Sequence, residues 1–300
     1  MRRFCYMRHR RGRLRRSGSP AGVLGRLAVD FRVRRTSFYW IEMMTVWEAI
    51  YSESPLHACG ALARAMQDTL VPPISYETSR LEVYGRTIPR DAFGGDLADL
   101  VMSDGGVVAY VADVSGHDVF AAILMGMVKT AARYGLMFGQ ALPELLEGIN
   151  SVLPSVKEPN MYATFAGMRI AGIGEMEYII AVNLPALHYR HSRRQVIRLS
   201  MEQFPLGMFP GVSYTSHRAS CDAGDLFGIF TDGFVETTDI CEQEFGLQRL
   251  ENVLLEYADR KPQEIYDAAL DAVGRHGAQA DDRTLMLVRV LTPVGRSYAI

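Results

Sequence analysis

Asp113-Val-Ser-Gly-His117 connects a run of apolar residues, 107–112, to a second apolar run that begins near residue 119. The first run has the length of a buried strand, and the second has the length and apolar density of a buried helix. A carboxylate at such a junction is held from both sides, and Gly116 allows the tight backbone bend beside it. Asp113 is therefore a candidate functional residue.

Three further acidic corners lie at the edges of predicted strands: Gly94-Gly-Asp96, Thr231-Asp-Gly233 and Asp281-Asp282. Each is weak evidence alone, because an Asp-Gly pair after a strand is usually a turn. Mg²⁺ and Mn²⁺ prefer oxygen ligands such as carboxylates. Together the four corners predict one divalent-metal site that activates water against a phosphoryl group. No nucleophile elbow, Cys-x5-Arg loop or Walker A loop offers an alternative.

Composition and charge limit the class of protein. The chain has 300 residues, of which 48% are hydrophobic, so it has enough apolar sequence for one large or two small packed domains. Its four cysteines form no CxxC pair, which fits a reducing cytoplasm. The most apolar run, 119–128, is shorter than the ~20 residues of a membrane-spanning helix. We expect a cytoplasmic protein with no membrane span and no nucleic-acid partner.

The N-terminal residues 1–42 differ in composition from the rest of the chain. They contain twelve arginines but only two acidic residues, Asp30 and Glu42, with no sustained apolar period. This pattern predicts a disordered arm. An anionic tether and a targeting peptide are two interpretations, and an extension that is not native, with the true start at Met43 or Met44, is the one we favour.

Residues 43–75 predict an amphipathic helical lead-in. Ser54 is a possible N-cap, Pro55 suits the first helical position, and Pro72 ends the pattern. Apolar side chains recur every three or four residues at Leu56, Cys59, Leu62, Met66 and Leu70. This apolar face either packs on the adjoining domain or pairs with a second copy, so a homodimer through residues 45–72 is one hypothesis.

The remaining pattern predicts antiparallel sheets covered by helices. Strands are expected at 81–88, 107–113, 162–170, 176–182, 187–190, 195–199, 212–219, 225–231 and 283–291. Helices are expected at 119–137, 142–153, 246–257 and 262–275. The first two strands are predicted to form a hairpin-like pair that carries Asp96 and Asp113. His188 and His191 are expected on the surface of another hairpin. Sequential strands with helices gathered in pairs are typical of an α+β fold.

The four acidic motifs, taken in order, resemble those of a known family. They are Gly94-Gly-Asp96, Asp113-Val-Ser-Gly-His117, Thr231-Asp-Gly233 and Asp281-Asp-Arg-Thr284. This series is similar to that of the SpoIIE/RsbU-type branch of the PPM (PP2C-like) serine/threonine protein phosphatases. Asn183-Leu-Pro-Ala-Leu187 and Ala223-Gly-Asp225 also match the pattern. The resemblance covers about residues 60 to 291.

The resemblance implies an αββα sandwich over residues 76–292, followed by a tail at 293–300. It also implies a binuclear Mn²⁺ or Mg²⁺ site. Asp113 would bridge the ions and the Val114 carbonyl would be a further ligand. Asp232 and Asp281 would complete the coordination of one ion, and Asp96 would bind a metal ion directly or through water. Asp113 and Asp232 would then act in catalysis through the activated water.

The implied substrate is phosphoserine or phosphothreonine on a STAS-domain anti-anti-sigma protein in bacterial partner-switching control of transcription. Two features leave alternatives open. The family commonly has Gly where Asp118 stands, and Asp118 either caps the next helix or adds charge near the metals. His117 is either a general acid or a turn residue that points away. The competing functions are a pseudophosphatase scaffold that binds the phosphoprotein without turnover and a hydrolase of small phosphoesters.

Overall fold

Two antiparallel sheets stack face to face, and helices cover the outer side of each sheet. The computed structural model describes residues 64–103, 106–116, 118–182 and 184–292. Residues 1–63, which hold the basic arm and most of the lead-in, and residues 293–300 lie outside that range, as does His117. The predicted αββα sandwich is confirmed.

The first sheet has six strands in the order β1-β2-β11-β10-β7-β8, and the second has five in the order β3-β4-β5-β6-β9. The strands are β1 Ile74–Glu77, β2 Leu81–Ile88, β3 Asp96–Ser103, β4 Gly106–Val114, β5 Ala163–Ile170, β6 Gly174–Ala181, β7 Ala186–Arg190, β8 Gln195–Leu199, β9 His217–Cys221, β10 Leu226–Phe230 and β11 Arg283–Val290. The helices are α1 Val119–Met137, α2 Leu142–Val152, α3 Gly246–Glu256 and α4 Pro262–His276. Residues 64–70, the end of the predicted lead-in helix, are helical.

Strand β4 is buried on both faces, which explains its nearly continuous apolar sequence. Val107 and Val111 belong to the core between the two sheets. Val108 and Ala112 belong to the core under α1 and α2. Because side chains alternate along a strand, Asp113 belongs to the set that faces the other sheet.

The outer face of the first sheet packs against α3 and α4. Strand β11 contributes Leu285 and Leu287 to this layer, where they join Tyr266 and Ala269 of α4. Alternate residues of β11, such as Met286, face the core between the sheets. The same alternation directs Thr284 toward the second sheet.

Helix α1 spans Val119–Met137, as predicted, and continues beyond the apolar run of 119–128. Among the residues that the structure describes, it is the one helix whose length and composition would suit a membrane span, and 44% of its apolar window is buried. Leu124, Met125 and Val128 lie in the core that α1 shares with the second sheet. The helix therefore serves as a core helix of the sandwich.

One predicted strand pairing is wrong. Strand β2 pairs with β1 and β11 in the first sheet, whereas the hairpin partner of β4 is β3. The segment between Ile88 and Asp96 carries the chain from one sheet to the other. Two acidic residues interrupt the apolar pattern of β3, Asp96-Leu-Ala-Asp99-Leu-Val-Met-Ser103, which is why periodicity did not identify it.

The strand predicted at 212–219 instead begins at His217. Side chains bind the backbone that precedes it. Gln203 accepts a hydrogen bond from the Thr215 N–H at 2.7 Å, and Glu147 accepts one from the Tyr214 N–H at 3.2 Å. Because these N–H groups are satisfied by side chains, the segment does not enter the sheet.

Candidate metal centre

Asp96 and Asp113 are directly opposite each other on neighbouring strands. They are register partners at one end of the β3–β4 hairpin, and both face the space between the sheets. Asp96 is buried with 2% of its surface exposed, and Asp113 is half-buried. The predicted pairing of 81–88 with 107–113 is wrong, but the expected proximity of Asp96 and Asp113 is confirmed, through the β3–β4 hairpin.

Asp232 and Asp281 come to the same end of the sandwich from the first sheet. Asp232 begins a short 3-10 turn, Asp232–Phe234, directly after β10, and Asp281 lies on the surface just before β11. Both acids line a cavity of about 130 Å³ together with Glu236. Glu236 was not identified from the sequence, because a glutamate after a turn has no distinctive local pattern.

Burial and neighbouring negative charge raise the pKa values of Asp96, Asp113 and Asp232. Burial raises the pKa of Asp113 to about 7, and the charges of Asp232, Asp281 and Asp282 add to the effect. Burial and then Asp281 raise the pKa of Asp232. Burial is also the main reason that the pKa of Asp96 is high, followed by the charge of Asp113. The four predicted acids thus occupy one electrostatic neighbourhood.

This donor set fits divalent cations. The charged neighbours that act on Asp113 are all carboxylates, so a cation would relieve their repulsion. Carboxylate oxygens are also the ligands that Mg²⁺ and Mn²⁺ prefer. Within the described ranges, however, no three His, Cys, Asp or Glu side chains converge as a ready-made metal cluster. The assignment of individual ligands therefore stays a prediction.

Asp282 fixes the loop that carries the first acidic motif. Its Oδ1 accepts a hydrogen bond from the Arg90 N–H at 2.7 Å, and the side chain is buried. A Cβ on Gly94 would lie 2.2 Å from its Oδ2, and a Cβ on Gly95 would lie 2.3 Å from the Val114 carbonyl oxygen. The two glycines are required because this loop contacts Asp282 and β4 directly. The sequence had not indicated this role for Asp282.

Two hydroxyl side chains contact Asp96. Thr231 Oγ1 lies 2.7 Å and Thr284 Oγ1 lies 2.6 Å from its Oδ2. Arg283 binds the neighbouring turn through the Gly233 carbonyl oxygen at 3.3 Å and Thr237 Oγ1 at 3.0 Å. Thr231 and Thr284 were noted in the sequence only as part of the family motifs, since a threonine beside an aspartate is common in turns.

Two histidine expectations have different outcomes. His188 is fully buried, so its predicted surface position is wrong. Its Nε2 lies 2.9 Å from Oδ2 of Asp225, and its ring stacks on Phe227. The sequence pattern predicted an exposed histidine because it does not show that Asp225, 37 residues away, is the buried partner of His188. His191 is exposed as expected, and His117 is outside the described residues.

Asp118 caps helix α1. Its Oδ1 accepts a hydrogen bond from the Ala121 N–H at 3.0 Å, and its backbone is extended, as is usual for an N-cap residue. Of the two interpretations of this departure from the family pattern, the structure supports the capping role.

Comparison with known proteins identifies the family. The family described as Stage II sporulation protein E (SpoIIE) matches residues 103–291. Phosphoserine phosphatase RsbU of Bacillus subtilis is 24% identical over 236 residues, which is 76% of this chain and 69% of that protein.

Solved structures share the fold. The SiaA-PP2C domain of Pseudomonas aeruginosa has a TM-score of 0.65 at 16% identity, covering 76% of this chain and 94% of that one. The structure of the RsbU and RsbW domains of a Mycobacterium tuberculosis protein has a TM-score of 0.62 at 22% identity, and the match covers 75% of this chain and 63% of that one. The PP2C phosphatase domain of Bacillus subtilis SpoIIE, solved with a fragment of its regulatory domain, gives 0.60 at 18% identity, covering 72% and 64%. The chain thus spans just under two thirds of the last two structures.

Its acidic motifs, its sandwich of two antiparallel sheets and the family match together establish that this chain belongs to the SpoIIE family and has the PP2C-type phosphatase fold.

Proposed function

We propose that this protein is a metal-dependent serine/threonine protein phosphatase. The observation that carries the proposal is that Asp96, Asp113, Asp232 and Asp281, which come from distant parts of the chain, all lie at one end of the sandwich. Bound cations would neutralise the repulsion between these carboxylates. Hydrolysis of a phosphate ester also needs positive charge near the transferred phosphoryl group.

Each acid has a proposed task. Asp113 would be the central metal ligand, together with the Val114 carbonyl oxygen. Asp232 and Asp281 would hold metal from the first sheet, and Asp96 would bind it directly or through water. When bound, Mn²⁺ or Mg²⁺ would supply Lewis-acid activation of water and neutralise phosphate charge. The four aspartates would hold and orient the metal ions, and no protein side chain is required as a covalent nucleophile.

The proposed substrate is phosphoserine or phosphothreonine on a STAS-domain anti-anti-sigma protein, within bacterial partner switching in the cytoplasm. The similarity to a protein named phosphoserine phosphatase RsbU supports the reaction class. One of the similar structures contains both RsbU and RsbW domains, which is consistent with a role in such signalling. A homodimer through residues 45–72 stays a prediction, since most of this segment is outside the described residues.

Phosphate release tests the proposal. Wild type and Asp113→Asn would be assayed on a phosphorylated STAS-domain protein and on an aryl phosphate, with Mn²⁺, Mg²⁺ or excess EDTA. We expect metal-dependent release from the phosphoprotein by wild type. The phosphatase activity of Asp113→Asn should fall by more than the roughly 10- to 100-fold that is typical when only a residue hydrogen-bonded to a metal ligand is removed. Asp271→Asn, an exposed acid on α4, is the matched control and should retain activity.

The competing functions give different results. Turnover of the aryl phosphate alone would favour a hydrolase of small phosphoesters. Binding of the phosphoprotein without release of phosphate would favour a scaffold. Wild-type activity in Asp113→Asn would disprove the mechanism.

A further inference from the structure

Thr231 and Thr284 both bind the same oxygen of Asp96. Their hydroxyl oxygens lie 2.7 Å and 2.6 Å from Oδ2, and the residues are 4% and 0% exposed. Within the described part of the chain, no N–H or hydroxyl group donates a hydrogen bond to Oδ1, and the carboxyl group of Asp113, the register partner of Asp96, lies within hydrogen-bonding reach of the Asp96 side chain. One oxygen of this buried carboxylate therefore has two donors, while the other is left for a different partner.

The neighbouring groups determine which atom donates in each contact. The Thr284 N–H donates to Thr231 Oγ1 at 3.0 Å, so the Thr231 hydroxyl hydrogen is available for Asp96. Thr87 Oγ1 lies 2.9 Å from Thr284 Oγ1. Thr284 has one hydroxyl hydrogen and a carboxylate is the stronger acceptor, so we assign the hydrogen between the two threonines to Thr87. The hydroxyls of Thr231 and Thr284 then each donate and accept, the Thr87 hydroxyl donates, and Oδ2 of ionised Asp96 accepts.

This network crosses from one sheet to the other at the acidic end. Thr87 lies on β2 and Thr284 on β11 of the first sheet, and Thr231 directly follows β10 of the same sheet. Asp96 lies on β3 in the second sheet. Because the threonines are held by strands, the orientation of the Asp96 carboxylate is set by the packing of the two sheets.

We propose that Thr231 and Thr284 are positioning residues of the metal centre, which hold Oδ2 of Asp96 so that Oδ1 serves as a ligand to a divalent cation, directly or through water. This inference rests on the proposed function. Outer-sphere hydrogen bonds of this kind orient ligating carboxylates, and their loss typically weakens metal binding by roughly 10- to 100-fold.

A purely structural role would have a different signature. If the threonines only join the sheets, then removing a hydroxyl would lower thermal stability and leave the metal affinity of the folded protein unchanged. Thr87 is the matched control, because it is buried in the same network but makes no hydrogen bond to Asp96.

The test is titration of metal-free protein with MnCl₂ by isothermal calorimetry, alongside thermal unfolding without metal. The variants are Thr284→Val, Thr284→Ser, Thr231→Val and Thr87→Val. We expect Thr284→Val and Thr231→Val to weaken Mn²⁺ binding roughly tenfold or more. Thr284→Ser, which keeps the hydroxyl, and Thr87→Val should remain within about threefold of wild type by the same reasoning.

Each outcome is decisive. If the folded Thr284→Val and Thr231→Val proteins bind Mn²⁺ as wild type does, the inference is wrong while the proposed function stands. Equal losses in Thr87→Val and Thr284→Val would also overturn it, since the effect would then be structural. If Thr284→Val does not fold, Thr231→Val and Thr284→Ser decide the question. A wild-type protein that binds no Mn²⁺ would overturn both the inference and the proposed metal centre.

Discussion

The carboxylate of Asp282 accepts a hydrogen bond from the backbone N–H of Arg90 at 2.7 Å, which ties the start of β11 to the loop between β2 and β3. That loop leads into Asp96. Asp282 is buried, whereas its neighbour Asp281 is exposed and lines the acidic cavity. Two adjacent aspartates therefore have different tasks, one in the fold and one in the proposed site.

Substitution should separate these two tasks. Asp282→Ala leaves buried N–H groups without an acceptor, so the free energy of unfolding should fall by about 1–3 kcal/mol. Asp281→Ala removes an exposed carboxylate and should change stability by about 0.5 kcal/mol or less, yet it should abolish most metal-dependent activity. Urea unfolding and Mn²⁺-dependent phosphate release measure the two effects. Full activity in Asp281→Ala, or unchanged stability in Asp282→Ala, would contradict the assignment.

Asp99 should contribute to stability at neutral pH. Its carboxylate accepts hydrogen bonds from Arg133 at 2.6 and 2.9 Å and lies 3.4 Å from Lys129 Nζ. Burial works to raise the pKa of Asp99, but the Arg133 hydrogen bonds and the Lys129 charge hold it below its usual value. Asp99→Asn should cost about 2 kcal/mol at pH 7, the scale of hydrogen bonds to a charged group.

The sign of the pH dependence follows from the lowered pKa of Asp99. The folded protein binds the proton less tightly than the unfolded chain does, so the stabilisation is complete above the unfolded pKa of about 3.9. It is lost as the pH falls through the lower folded value. Urea unfolding at several pH values should therefore show the gap between wild type and Asp99→Asn closing below about pH 4. Asp271→Asn, which removes an exposed ion pair with Arg275, is the control and should show a gap of about 0.5 kcal/mol or less at any pH.

Asp118 should act through its cap and not through its charge. Asp118→Ala removes the acceptor for the Ala121 N–H and should lower stability by about 1 kcal/mol. Asp118→Asn keeps a capping oxygen and removes the charge, so its stability and Mn²⁺-dependent activity should both stay near those of wild type. A large change in activity with Asp118→Asn would instead support an electrostatic role near the metals.

Gly95 should tolerate no side chain. A Cβ at this position would lie 2.3 Å from the Val114 carbonyl oxygen and 2.9 Å from that of Gly116. Backbone must move to admit it, so Gly95→Ala should reduce both thermal stability and Mn²⁺ affinity. Gly148→Ala is the control, because a Cβ there meets nothing within 4 Å and the residue lies inside α2. That variant should gain about 0.5–1 kcal/mol, and a Gly95→Ala protein with wild-type behaviour would refute the close approach.

Much of the fold could be read from local pattern. Helix α1 begins at Val119, as expected, and ends at Met137, and β4 covers the predicted apolar run. Local pattern works here because β4 is a continuous apolar run buried on both faces, and α1 is a long apolar run with one buried face. It failed for β3, where Asp96 and Asp99 interrupt the apolar pattern although both are buried. Their polar partners, Thr284 and Arg133, lie 188 and 34 residues away, so no local window contains the reason for their burial.

The candidate site shows the same division. The junction Asp113-Val-Ser-Gly-His117 and the other acidic corners were visible as residue types at strand ends, because short carboxylates beside glycines have a recognisable local form. Local chemistry was therefore enough to nominate Asp96, Asp113, Asp232 and the pair Asp281-Asp282, from which the family resemblance selected Asp281. It was not enough to separate Asp281 from Asp282, to bury His188 against Asp225, or to direct two threonines to one oxygen of Asp96. Those relationships depend on which strands pair and how two sheets stack, and contacts between residues far apart in the chain decide them.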